Sequence, residues 1–166
     1  MAVIDSSVLI HLSRINKLYL LKKYFRKIKI TGEVFEETVS VNKSFEGKND
    51  IKEACTDWIK VINLKNKKKI KEISEINGIE EADSSLILLA EKEKEIILTN
   101  DYLLVQVSKS RKIACWWLTT FLLKLLKKKI IKKNEAKKIL FELIQNGLRI
   151  SIEVYAAIEI KINEFT

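Results

Sequence analysis

Short β-branched runs alternate with longer stretches of helical apolar spacing along the whole 166-residue chain. The pattern predicts a strand over Ala2–Ile4, a helix capped by Ser6 or Ser7 and running to about Ile15, and a second helical patch over Leu18–Phe25. Basic and apolar residues alternate in Lys27–Ile30, which reads as a strand, and Thr31 suits the cap of a helix over Glu33–Ser40. Val41–Asp50 is polar, contains Gly47 and reads as a loop. A helix over Ile51–Trp58 and a short strand over Ile59–Leu64 follow, and then an exposed lysine-rich segment, Lys65–Lys71. Strong helical spacing returns over Glu80–Glu93, with a strand over Ile96–Thr99, a helix over Tyr102–Ser108 and a strand over Lys112–Trp117 behind it. Thr119 or Thr120 caps a helix to about Lys128. Asn134 caps another that ends at Gly147, and Ser151 begins a last helix to about Ile162.

Strands that alternate with helices throughout predict an α/β fold, with a central parallel sheet and helices on both faces. There is no internal repeat, and the length fits one domain over residues 1–166. A hydrophobic fraction of 47% excludes long-range disorder. The most apolar stretch, Ala114–Leu126, is broken by Lys124 and is too short to span a bilayer, so no membrane association is expected. The amino terminus has no basic region leading into a long apolar run, so no signal peptide is expected. Cys55 and Cys115 have neither metal-ligand spacing nor a disulfide framework, which points to a reduced, cytoplasmic setting.

One local device occurs twice. In Val3-Ile4-Asp5-Ser6 and again in Leu98-Thr99-Asn100-Asp101, a buried strand ends in a carboxylate and a helix starts at once. Parallel sheets place their sites at such carboxyl ends. Two more acids have a suitable setting. Glu37 lies three residues after Val34, and Asp83 lies in a first helical turn on the side of Leu86, Leu89 and Ala90. Taken singly, Asp5 and Asp101 read equally well as helix caps, Asp83 as a helix-dipole contact and Glu37 as a surface acid. Together they make an oxygen-rich, negative spot in a chain of formal net charge +9. A divalent cation relieves such repulsion, and hard oxygen ligands select Mg²⁺ or Mn²⁺. The one histidine, His11, reads as a packing residue on the first helix.

The positive balance lies mostly in two lysine clusters, Lys65, Lys67, Lys68, Lys69 and Lys71, and Lys127, Lys128, Lys129, Lys132 and Lys133. They suit phosphate-backbone contact, and they equally suit a lysine-rich proteome. Of Trp116 and Trp117, adjacent on a strand, one faces the core and the other is free to stack on a base or pack on a helix or partner.

The segments Val3-Ile4-Asp5-Ser6-Ser7-Val8-Leu9-Ile10, Val34-Phe35-Glu36-Glu37, Ala82-Asp83-Ser84-Ser85-Leu86 and Leu98-Thr99-Asn100-Asp101 occur in an order that resembles the PIN-domain nucleases. The chain resembles the VapC-type ribonuclease toxins and related archaeal PIN proteins. The tail Gly147-Leu148-Arg149-Ile150-Ser151 resembles a common segment of theirs. The resemblance implies a single PIN-like domain and hydrolysis of RNA to a 5′-phosphate and a 3′-hydroxyl with one or two Mg²⁺ or Mn²⁺ ions. It implies Asp5 and Asp101 as direct metal ligands, with Glu37 and Asp83 holding metal-bound waters or a second ion. Glu80 and Glu81 stand as alternatives to Asp83. Ser6, Ser7, Thr99 and Asn100 are expected to orient the carboxylates. The departure is Cys115-Trp116-Trp117-Leu118-Thr119-Thr120, where many relatives carry a small-residue loop. It alters the rim, not the acids.

The implied partners are RNA and, for a toxin, an antitoxin protein. The patches Leu18-Tyr19-Leu20-Leu21 and Phe121-Leu122-Leu123 suggest a homodimer. A housekeeping RNA-processing nuclease and a non-catalytic RNA-binding module are the competing readings. A flap-type DNA nuclease would need insertions for which this chain has no room.

Overall fold

Strands of three or four aliphatic and β-branched residues form the centre of the molecule. The computed structural model describes residues 1–40 and 44–165. β1 (Ala2–Ile4), β2 (Ile28–Thr31), β3 (Ile59–Ile62), β4 (Ile96–Thr99) and β5 (Cys115–Trp117) make one all-parallel sheet in the order β3-β2-β1-β4-β5. β1 is buried throughout, as a strand covered on both faces must be. Lys29 in β2 is the polar exception. Its stem crosses the buried layer and its ammonium donates to Glu93 at 2.6 Å, with Glu95 at 3.7 Å.

The helices are α1 (Ser6–Arg14), α2 (Tyr19–Phe25), α3 (Gly32–Phe35), α4 (Lys48–Asp57), α5 (Lys67–Asn77), α6 (Glu81–Glu93), α7 (Tyr102–Ser110), α8 (Leu118–Lys127), α9 (Lys133–Gln145) and α10 (Ile152–Glu164). The chain steps from β1 to β2 to β3 in one direction, then crosses back to β4 and β5. Right-handed crossovers therefore lay α1 to α4 on one face and α5 to α7 on the other. The strand order reverses between β1 and β4, and the crevice of such a sheet opens at that point, beyond the carboxyl ends.

Several local expectations are corrected. The lysine-rich segment is exposed as expected, but from Lys67 onward it also begins a helix, α5. Asn66 caps it by accepting from Lys69 N at 3.1 Å, Ile70 and Ile73 are buried, and the lysines stay exposed. The expected helix over residues 33–40 is α3 followed by a π-helical turn, Glu36–Ser40. The expected loop over 41–50 ends at Gly47, and residues 41–43 of it lie outside the described residues. Asp5, Trp117 and Lys132 occupy the cap positions expected for Ser6 or Ser7, Thr119 or Thr120, and Asn134, and none makes a side-chain cap bond. Thr31 and Ser151 do cap as expected. Gly147 turns left-handed after α9 (φ 99°), and Leu148 N reaches back to Leu143 O at 2.9 Å.

Most of the two apolar patches packs inside this chain: Leu18, Leu20, Leu21, Phe121 and Leu122 are core, while Tyr19 is 39% exposed. Trp116 also packs internally, edge-on to Tyr24 at 6.1 Å with Lys124 over its ring at 5.1 Å. Among the described residues no helix is long and apolar enough to cross a membrane.

Gly47 begins α4 at φ 89°, and a Cβ there would lie 2.5 Å from Ser13 Cβ and 2.6 Å from the Ser13 carbonyl. Gly147 has a positive φ without that collision, its nearest atom being Arg14 Nη1 at 3.9 Å. Gly147→Ala should therefore cost about 1 kcal/mol, from the backbone conformation alone. Gly47→Ala should cost about 1–3 kcal/mol more, because α1 and α4 must separate. Urea midpoints at constant slope test the order, which equal losses would contradict.

Candidate active site

The sheet brings the two strand-end acids together. Val3 pairs with Ile97 and Ile4 with Leu98, and Asp5 N continues the ladder to Leu98 O at 3.0 Å. Asp5 therefore leaves β1 beside Thr99, and Asp101 follows two residues on. Asp5 is only 5% exposed. It forgoes the cap bond its position offers. Instead Oδ2 accepts from Ser7 Oγ at 2.6 Å and Thr99 Oγ1 at 2.7 Å, and Oδ1 accepts from Ser6 Oγ at 3.3 Å. Three hydroxyl donors fix its rotamer.

Asp101 divides its two oxygens. Oδ1 caps α7 by accepting from Leu104 N at 2.7 Å, and the Asp101 backbone N donates to Thr99 Oγ1 at 2.9 Å. Its other oxygen makes no hydrogen bond among the described residues. Asn100 does not orient a carboxylate. Its backbone N donates to Ser7 Oγ at 3.2 Å and its Oδ1 accepts from Leu118 N at 3.3 Å, so it ties α8 to the strand end.

Glu37 comes from the π-helical turn after β2. Thr38 Oγ1 donates to Val34 O at 2.8 Å and to Phe35 O at 3.3 Å, which supports the departure from α geometry there. Asp83 comes from the first turn of α6, which packs across β1, β2 and β4. Asp5, Glu37, Asp83 and Asp101 line one cleft of about 380 Å³, together with Ser6, Ser7, Gly78, Ile79, Glu80 and Leu103. Glu80 joins the wall and Glu81 does not. Burial, and after it the charges of Asp5, Asp101, Glu37 and Glu80, push the Asp83 carboxyl up to about 7. The four acids that stand far apart in sequence thus act on one another.

Sequence reasoning did not single out Leu103 or Arg14. Leu103 follows Asp101 but lies off the buried face of α7, which is Leu104, Val105, Val107 and Ser108. Ser6, Ile10 and Arg14 recur every fourth residue on one face of α1, and all three line a second cleft that shares Ser6, Glu37 and Glu80 with the first. The expectation for His11 stands as packing: burial, and after it the Arg14 charge, lower its pKa and favour the neutral imidazole.

The donors fit a hard cation: every side-chain donor in the cleft wall is an oxygen, and no histidine or cysteine lines it. Among the described residues no three His, Cys, Asp or Glu groups are gathered tightly enough to hold one ion by themselves. Mg²⁺ does not need that, since it keeps several waters and takes one or two carboxylates directly.

A family model described as a PIN domain matches residues 1–164. No curated protein matches the chain.

The Asp83 carboxyl gives a pH signature. Its pKa is raised from 3.8 to about 7, so the folded protein holds this proton more tightly than the unfolded chain does. Its stabilisation is full below about pH 4 and is lost as pH rises to about 7. In EDTA, the thermal midpoint of wild type should fall relative to that of Asp83→Asn across this range. A difference between the two that stays constant with pH would contradict the shared-cleft electrostatics.

Proposed function

Because the chain belongs to the PIN-domain nuclease family, we propose that it is a Mg²⁺- or Mn²⁺-dependent endoribonuclease. The observation that carries this reading is the mutual repulsion of four carboxylates around one cleft, in a chain of net charge +9. Clustered acids repel one another unless a cation offsets them, and a basic exterior attracts a polyanion.

Asp5 and Asp101 would hold the ion directly. Asp5 is rotationally fixed by three hydroxyls, and Asp101 has an oxygen left over from its capping role. Glu37 and Asp83 would hold its waters or a second ion. Such an ion supplies positive charge against a developing phosphodiester oxyanion and acidifies water near neutral pH. Cation binding draws the Asp83 pKa back down, so that side chain gives up a proton as the ion enters. The exposed lysines contribute phosphate contacts that weaken with salt.

Within this reading we place the protein among VapC-type toxins, active in a reduced cytoplasm and held in check by an antitoxin. A short DNA-binding protein encoded next to it would support the toxin role, and an RNA-processing neighbour would support a housekeeping one.

Asp101→Asn tests the chemistry. Asparagine is nearly isosteric and still caps a helix, so the fold should persist. Cleavage of RNA in Mg²⁺ or Mn²⁺ should fall about 100-fold or more, because a neutral amide binds a hard cation poorly. EDTA should abolish wild-type cleavage. Equal rates for the two proteins, or activity that survives the chelator, would sink the metal-nuclease reading. RNA binding without cleavage by either protein would support the non-catalytic module.

A further inference from the structure

We propose that a single nucleic-acid strand crosses the carboxylates between two anchors: the ring of Tyr102, on which an unpaired base stacks, and the guanidinium of Arg14, which takes a phosphate. The inference rests on the nuclease reading and names the side chains that make its substrate single-stranded.

Tyr102 is 69% exposed and Leu103 45%. They follow Asp101 directly, and Asp101 and Leu103 both line the carboxylate cleft. α7 turns Leu104, Val105, Val107 and Ser108 into the core, so packing does not account for a tyrosine and a leucine on the open side. The Tyr102 hydroxyl has no hydrogen-bond partner and its ring no ring contact among the described residues. The backbone beneath it is nevertheless fixed, by the Asp101 cap to Leu104 N at 2.7 Å and the bond from Asp101 N to Thr99 at 2.9 Å. A free ring on a rigid base beside a reactive centre is what base stacking needs, and it serves any base because each has a π-face.

Arg14 stands at the other end. It is half-buried in the wall of the second cleft and binds no carboxylate among the described residues, although Glu37 and Glu80 line the same cleft. It lies two turns of α1 beyond Ser6, about 12 Å along the helix axis. A cation at a helix carboxyl end is favoured by the dipole, but that does not place it in a cleft continuous with the acids. Along the sheet edge the acids follow β2, β1 and β4, as Glu37, Asp5 and Asp101. The proposed strand enters the carboxylate cleft beside Asp101 and Leu103 and leaves it through the second cleft, whose wall holds Glu37 and Arg14. Bases already stacked in a duplex cannot reach the Tyr102 ring, so the platform favours unpaired nucleotides.

The test uses a 5′-fluorescein 12-nucleotide RNA without self-complementarity, and the same RNA annealed to its complement. Anisotropy titrations in Mg²⁺ are run at several salt concentrations, with every variant in the Asp101→Asn background so that the probe stays intact. Tyr102→Ala should weaken single-strand binding about 5- to 100-fold, Tyr102→Phe should restore it, and duplex binding should not change. The salt slope should be the same with and without the ring. Arg14→Gln should reduce that slope by about 0.7. Unchanged single-strand affinity in Tyr102→Ala, an equal loss on the duplex, or an unchanged slope in Arg14→Gln would overturn the proposal. The readout needs no cleavage. Tyr102-dependent binding by a protein whose wild type never cleaves would sink the nuclease reading alone. An active wild type with Tyr102-independent binding would sink the strand path alone.

Discussion

The Thr99 hydroxyl joins the two central strands where the site is built. It donates to Asp5 Oδ2 at 2.7 Å and accepts from Asp101 N at 2.9 Å. One buried group thus sets the rotamer of the first acid and the backbone of the second. The arrangement depends on parallel pairing of β1 and β4, and a slip of one residue would turn Thr99 to the opposite face. Residues from β4 and β1, 94 apart in sequence, can only meet this way because the strand order reverses between them. The rest follows from that junction. α6 crosses both strands and delivers Asp83, and the turn after β2 delivers Glu37.

Charge operates on two length scales here. Within the cleft the acids repel one another, and the displaced Asp83 pKa reports it. Across the surface, lysines on α5, α8 and the start of α9 set the sign of the distant field. Few of them neutralise the cleft, because they are committed elsewhere or lie on other faces. Lys67 pairs with Glu33, Lys71 with Glu75, and Lys128 sits over the Tyr24 ring at 3.9 Å. The chain thus sets an acidic pocket within a basic outer field.

Much of this was legible in the sequence where buried runs are bounded by turn residues. β1 and β4 fall where their β-branched runs place them, and Asp5 and Asp101 follow from them. The wide turn carrying Glu37 was not legible, since α and π turns share the same local propensities and the choice here rests on a hydroxyl bonding back to Val34 O. α5 was hidden because lysines fill its open face, leaving only Ile70 and Ile73 to mark the helical period. Composition shows that Leu18 to Leu21 and Phe121 to Leu123 must be covered, but tertiary packing decides whether the chain itself or another copy covers them.

Capping separates the two strand-end acids. Asp5 stands at the start of α1 with ideal cap chemistry, yet its oxygens turn to hydroxyls, and the helix goes without a bond worth about 1 kcal/mol. Asp101, in the equivalent place after β4, makes the cap bond and keeps one oxygen over. The two copies of one sequence device therefore differ in rigidity and in what they can offer. Asp5 is a carboxylate immobilised from behind, whereas Asp101 doubles as the support of the helix that raises Tyr102 and Leu103 at the rim. Stability is given up at Asp5 to hold a charge in place, and at Asp101 the same interaction serves helix and cleft together. That division explains why a site of four mutually repelling acids persists in a chain otherwise built to ordinary packing rules.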